Sequence, residues 1–204
     1  ANQEIWVTFE SDSDDGGEVS AFREYLGVVR GLSGDDEAVR DELADAFDAD
    51  ENPWVTGLQE PSGLLGAPNV RPILDRMIDE VGSEVERVVV HAPYFDPEGA
   101  ALGELAGRIN GPVQTLVQRN HVGLGADAAN SLPENVEIVS IDTDLRRFVH
   151  AKLYAFRRAS DTLLVCGSAN VSRAALLSSG DWGNAELVSV KSISHPEADE
   201  ALGE

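Results

Sequence analysis

Two short stretches of the chain carry side chains that could act together on a phosphate group. The first contains His150 and Lys152, and because side chains alternate along a β-strand, this spacing predicts that the imidazole and the ammonium share one face. The second, Gly167-Ser168-Ala169-Asn170, offers backbone N–H groups, a hydroxyl and an amide. Anions bind where several donors converge and the backbone can approach closely, so the second stretch is suited to hold a phosphate.

A β-hairpin is predicted between these stretches. Residues 157–161 are polar and separate two apolar runs. Antiparallel pairing of the runs would return the chain to the sheet edge from which it started. We therefore expect residues 167–170 to lie near His150 and Lys152.

The pattern H-x-K followed by G-S-x-N resembles the signature H-x-K-x4-D-x6-G-S-x-N of the phospholipase D superfamily. The position of the family's aspartate is taken by Arg157, and Asp161 is the nearest acid in a hairpin that is three residues longer. Asn184-Ala185-Glu186 is similar to the family's N-x-E strand. The resemblance extends over residues 69–190.

This resemblance implies a phospholipase D-like α/β sandwich, in which helices flank both faces of a mixed β-sheet, and the order of predicted strands and helices favours the same class. It also implies a phosphodiesterase without metal ion or cofactor, which we interpret as nuclease-type. The displaced aspartate favours a second reading, a non-catalytic nucleic-acid- or phosphate-binding module of a larger DNA-processing protein. A phospholipid-acting enzyme ranks third, because the sequence has no membrane segment and no basic amphipathic helix.

The resemblance also implies roles for the site residues. His150 would attack phosphorus to give a phosphohistidine, and Glu186 would accept a hydrogen bond from the other ring nitrogen. The groups that would hold the phosphoryl oxygens are those of Lys152, Gly167, Ser168 and Asn170.

A single motif leaves the second histidine of the implied mechanism unassigned. That histidine would come from a homodimer partner or from an upstream half of the protein. Asn2-Gln3-Glu4-Ile5 has the same form as residues 184–187, as expected if a first motif ended there, although so short an echo also arises by chance.

Charge is distributed very unevenly. The chain has 37 acids against 15 bases, a net charge of -22, and only two lysines, which is typical of proteins adapted to molar salt; we expect a cytoplasmic halophilic protein. An acidic interaction surface is the alternative, and it fits less well because the acids are spread along the chain. Residues 146–179 instead hold six bases and one acid. This basic segment predicts a nucleic-acid partner, although arginines flanking a solvated hairpin would look the same. The candidate substrate contacts are Arg146, Arg147, Arg173 and His121.

The rest of the pattern predicts three parts. Residues 1–67 contain a strand, two helices and a connector, residues 68–192 form the motif-bearing domain, and residues 193–204 form an acidic tail. In the domain we expect a helix after Pro72, a helix capped by Asp96, and a mobile loop at 123–133. His91 is interpreted as a hydrogen-bonded core histidine, and His195 in the tail as non-catalytic.

Overall fold

The computed structural model describes residues 71–118, 124–141, 148–179, 183–184 and 186–202, the backbone of 64–66, and a few helical positions nearer the amino terminus. Those positions are Phe22, Tyr25, Leu26, Glu37, Ala38 and Asp41, and they fall in or beside the two predicted helices. The predicted strand at 3–9, the echo at 2–5, and His121, Arg146 and Arg147 lie outside the described residues.

Seven strands form one sheet. They are β1 (Leu64–Gly66), β2 (Arg87–His91), β3 (Val113–Gln118), β4 (Val136–Ile141), β5 (Leu153–Arg157), β6 (Thr162–Gly167) and β7 (Leu187–Ile193). The helices are α1 (Ile73–Val81), α2 (Ala100–Gly107), α3 (Ala126–Ser131) and α4 (His195–Leu202), with one turn of π-helix at Arg173–Leu177.

The strand order is β1-β7-β6-β5-β2-β3-β4. β2, β3 and β4 are parallel to one another. The other pairs in the sheet are antiparallel: β5 with β2, β6 with β5, β7 with β6, and β1 with β7. The mixed sheet is therefore confirmed, and so is the hairpin joining β5 to β6. This topology brings the carboxyl ends of β2, β3 and β6 to the same edge of the sheet as the amino ends of β5 and β7.

The sheet is covered on both faces. Alternate residues such as Val88, Val90, Tyr154 and Phe156 are fully buried in one core, together with apolar residues of α1, α2 and the π-helix. Burial of each such side chain contributes about 1.5–3 kcal/mol. The residues between them, such as Val89, face the opposite side and line a small groove with α4. Helices on both faces are confirmed.

Three segments differ from the sequence prediction. The predicted loop at 123–133 contains α3, the connector ends in β1, and the acidic tail forms α4. Ala128 of α3 is buried, but the helix is too short to show an apolar period. At α4 the sequence did carry a signal, because Ser194 and Glu197 form a capping box in which each side chain accepts from the other residue's backbone N–H.

Candidate phosphate site at one edge of the sheet

The predicted site residues that the structure describes converge on one edge of the sheet. His150 and Lys152 immediately precede β5, Ser168 and Asn170 follow β6, and Glu186 precedes β7. Because β5, β6 and β7 are antiparallel neighbours, these ends must meet. Residues more than thirty positions apart in sequence thus form one cluster.

His150 and Lys152 lie side by side, as the alternation predicts, although the strand itself begins only at Leu153. Lys152 Nζ is 3.1 Å from each ring nitrogen of His150 and donates to the His150 carbonyl at 3.0 Å. Lys152 is only 7% exposed, so its ammonium depends on such partners.

The backbone around His150 is held from β2 and β3. Gln118 Oε1 accepts from the Val149 N–H at 3.0 Å, and His91 Nδ1 is 2.9 Å from the Ala151 carbonyl oxygen. Burial lowers the pKa of His91, with the Ala151 carbonyl opposing that shift, so the ring is neutral and its Nδ1–H donates. The prediction that His91 is a hydrogen-bonded core histidine is confirmed.

Ser168 and Glu186 form a pair that the sequence did not predict. The Ser168 hydroxyl donates to Glu186 and accepts from the Leu187 N–H at 2.9 Å, and Asn184 donates to the other carboxylate oxygen at 3.0 Å. Glu186 is only 6% exposed, and these donors compensate for burying its charge. Each carboxylate oxygen can accept more than one hydrogen bond, so the carboxylate can still take a further donor. The hydroxyl, in contrast, must rotate away from Glu186 before it can donate to a phosphate.

Gly167 and Asn170 frame the same turn. A Cβ at position 167 would collide with the Leu187 carbonyl and lie 2.7 Å from Val188 Cα, so only glycine lets β6 close against β7 here. Asn170 Oδ1 is buried and has no hydrogen-bond partner among the described residues. Such an atom costs about 1–3 kcal/mol, and a ligand that donates to it would recover this free energy.

Asp96 ties two loops of the site together. Its side chain accepts from the Ala101 N–H in the first turn of α2 at 3.3 Å, although the N-cap residue is Gly99 and not Asp96 as predicted, and it also accepts from the Arg173 N–H at 2.6 Å. The Asp96 N–H donates to the Val171 carbonyl at 3.3 Å. The loop after β2 is therefore fixed to the segment that follows Asn170.

The departures from the family signature lie at the opposite edge of the sheet. Asp161 accepts from Arg158 at 2.8 Å and from Ser192, and these partners lower its pKa to about 2. Arg157 is paired with Asp199 at 2.8 Å. Both residues stabilise the hairpin turn and its packing on α4, and neither reaches the cluster around His150.

Two further residues considered in the sequence analysis lie at opposite edges of the sheet. Arg173 is exposed at the start of the π-helix beside the site, whereas His195 lies 3.1 Å from Thr162 Oγ1 at the far edge.

The described residues contain no group of three or more His, Cys, Asp or Glu side chains placed to hold a metal ion. None of the described helices combines the length and hydropathy needed to cross a membrane.

Comparison with known proteins gives likeness in structure alone. No family model matches the chain, and no curated protein does. Yeast tyrosyl-DNA phosphodiesterase is 14% identical with a TM-score of 0.36, covering 53% of this chain and 26% of its own. Polyphosphate kinase from Porphyromonas gingivalis is also 14% identical, with a TM-score of 0.45 over 81% of this chain and 24% of its own.

TrmBL2, described as an archaeal chromatin protein, is 12% identical with a TM-score of 0.31, covering 89% of this chain and 63% of its own. The chain thus spans about a quarter of the length of the first two neighbours. Likeness at this level carries no argument about activity, so the geometry of the site must do so.

Proposed function

We propose that this chain is a phosphodiesterase-type domain in which His150 is the nucleophile. One observation carries the proposal: the Lys152 ammonium contacts the His150 ring on the same sheet edge that gathers Ser168, Asn170 and Glu186. A nucleophile, a cation and several neutral donors are what attack on a phosphodiester requires.

In the proposed reaction a ring nitrogen of His150 forms a bond to phosphorus and one P–O bond breaks. The leaving oxygen takes a proton from a general acid, and water then hydrolyses the phosphohistidine to regenerate the ring. The Lys152 ammonium and the side-chain NH2 of Asn170 would donate to the phosphoryl oxygens and so stabilise their negative charge. Glu186 would stabilise the positive charge that develops on the imidazole. The Ser168 hydroxyl would rotate, so that it donates its hydrogen bond to a phosphoryl oxygen instead of to Glu186.

We also propose that the reaction needs no metal ion, because Lys152 supplies a positive charge beside the nucleophile. The proposal also includes a second histidine, from a homodimer partner or another part of the protein, because the described histidines His91 and His195 are committed elsewhere. The proposed substrate is nucleic acid, because Lys152 and the exposed Arg173 lie at the site, and Arg146 and Arg147 precede His150 in the sequence of an otherwise acidic chain. The alternative, a binding module without catalysis, has no further observation in its favour.

An assay with matched histidine variants tests the proposal. Wild type, His150→Ala and His195→Ala are compared on a single-stranded oligonucleotide and on a simple phosphodiester, in molar KCl, with and without EDTA. We expect wild type and His195→Ala to cleave equally with or without EDTA, while His150→Ala loses activity and keeps its thermal unfolding transition. Equal cleavage by folded His150→Ala would refute the role of His150.

A further inference from the structure

The loop after β2 places an exposed aromatic side chain against the proposed nucleophile. Tyr94 is 53% exposed, and its ring centroid lies 6.2 Å from that of His150 in an edge-to-face arrangement. Phe148 completes a triangle, at 6.2 Å from Tyr94 and 5.8 Å from His150. The three rings form one continuous aromatic surface that borders the phosphate site.

This surface is rigidly supported. Phe95, the next residue after Tyr94, is buried and forms a β-bridge with Val171, and Asp96 bonds both Val171 and the backbone of Arg173. An aromatic ring on an anchored loop loses little conformational entropy when a ligand stacks on it. Core packing does not explain the exposed half of Tyr94, because a tyrosine that served only the core would be covered.

We infer that Tyr94, backed by Phe148, is a stacking platform for the nucleobase or other planar group attached to the phosphate that His150 attacks. The inference rests on the proposed function and narrows its substrate. Every nucleobase has a flat π-face that stacks on an aromatic side chain regardless of sequence, whereas the glycerol backbone and acyl chains of a phospholipid have none. The subsite therefore takes single-stranded nucleic acid, whose bases are free to leave their neighbours.

The test measures binding to two oligonucleotides of equal length and charge, one with 2-aminopurine and one abasic at the same position. His150→Ala serves as the background, so that no turnover is needed. Adding Tyr94→Ala should reduce the preference for the base-containing strand by about 5- to 150-fold, the effect of losing one base–aromatic stack. Adding Tyr94→Phe should keep both the preference and the quenching of 2-aminopurine fluorescence. Ile138→Ala, which removes an exposed apolar side chain from edge strand β4, is the matched control and should change nothing.

An unchanged preference in Tyr94→Ala would overturn the inference, as would equal binding of the two strands before any change at Tyr94. Loss of preference in Tyr94→Phe as large as in Tyr94→Ala would also overturn it, because the hydroxyl and not the ring would then be the contact. None of these outcomes touches the role of His150. That role fails separately, if the wild-type chain cleaves phosphodiesters no faster than His150→Ala.

Discussion

Lys152 shows how one side chain connects burial with chemistry. Its side chain is almost completely removed from solvent, and its ammonium contacts the ring and the carbonyl of His150. An anionic phosphate beside such a buried cation would accept a charge-assisted hydrogen bond from it. Arg157, by comparison, stands where the family signature has an acid, yet it lies at the other end of β5 in a half-exposed pair with Asp199.

Arg157 should therefore be dispensable for activity. Arg157→Ala removes an ion pair between partly exposed groups, which typically contributes about 0–1 kcal/mol to stability. We expect a small fall in melting temperature and an unchanged rate of phosphodiester cleavage. A loss of cleavage as large as that of Lys152→Ala, in a folded protein, would mean that the position of the signature's aspartate does act at the site.

At the scale of elements, much of the site could be read from the sequence. The polar break at 157–161 between apolar runs correctly predicted the hairpin, and hence the approach of Ser168 to His150. The pairing of Ser168 with Glu186 was missed, because it depends on the register between β6 and β7, which no local pattern fixes. The aromatic contact between Tyr94 and His150 was missed for the same reason, since it follows from β2 pairing with β5.

Gly167 is where element packing can be tested. Gly167→Ala places a methyl group against the backbone of β7, which cannot move aside as a side chain can, so we expect a loss of about 1–3 kcal/mol in the free energy of unfolding. Activity should fall with it, because the turn carrying Ser168 must shift. Gly107→Ala is the control: nothing lies within 4 Å of its added Cβ at the end of α2, and it should be neutral or slightly stabilising. Urea unfolding measures the free energy of unfolding of both variants. Equal stability of the two would contradict the packing described for Gly167.

For the molecule as a whole, we expect net charge to govern how stability and substrate affinity depend on salt. A net charge of -22 on 204 residues repels itself, while residues 146–179 of the sequence hold six bases and one acid. The distance beyond which salt screens the repulsion between two charges, the Debye length, is about 3 Å at 1 M salt and about 10 Å at 0.1 M. The same screening weakens phosphate contacts, so stability and substrate affinity should respond to salt in opposite directions.

Thermal unfolding in a KCl series tests this balance. We expect the melting temperature to rise from 0.1 M into the molar range, while affinity for an oligonucleotide falls over the same series. A melting temperature that stays flat or decreases would show that self-repulsion does not limit the stability of this fold.

Covalent attack by His150 can be tested by trapping the intermediate. Wild-type protein is mixed with an oligonucleotide labelled at its internal phosphates or a phosphodiester labelled at phosphorus, denatured within one turnover, and digested under alkaline conditions that preserve phosphohistidine. We expect an acid-labile label on the peptide containing His150, absent from His150→Ala and retained in His195→Ala. Turnover by wild type with no label on that peptide, or with label on another residue, would contradict it.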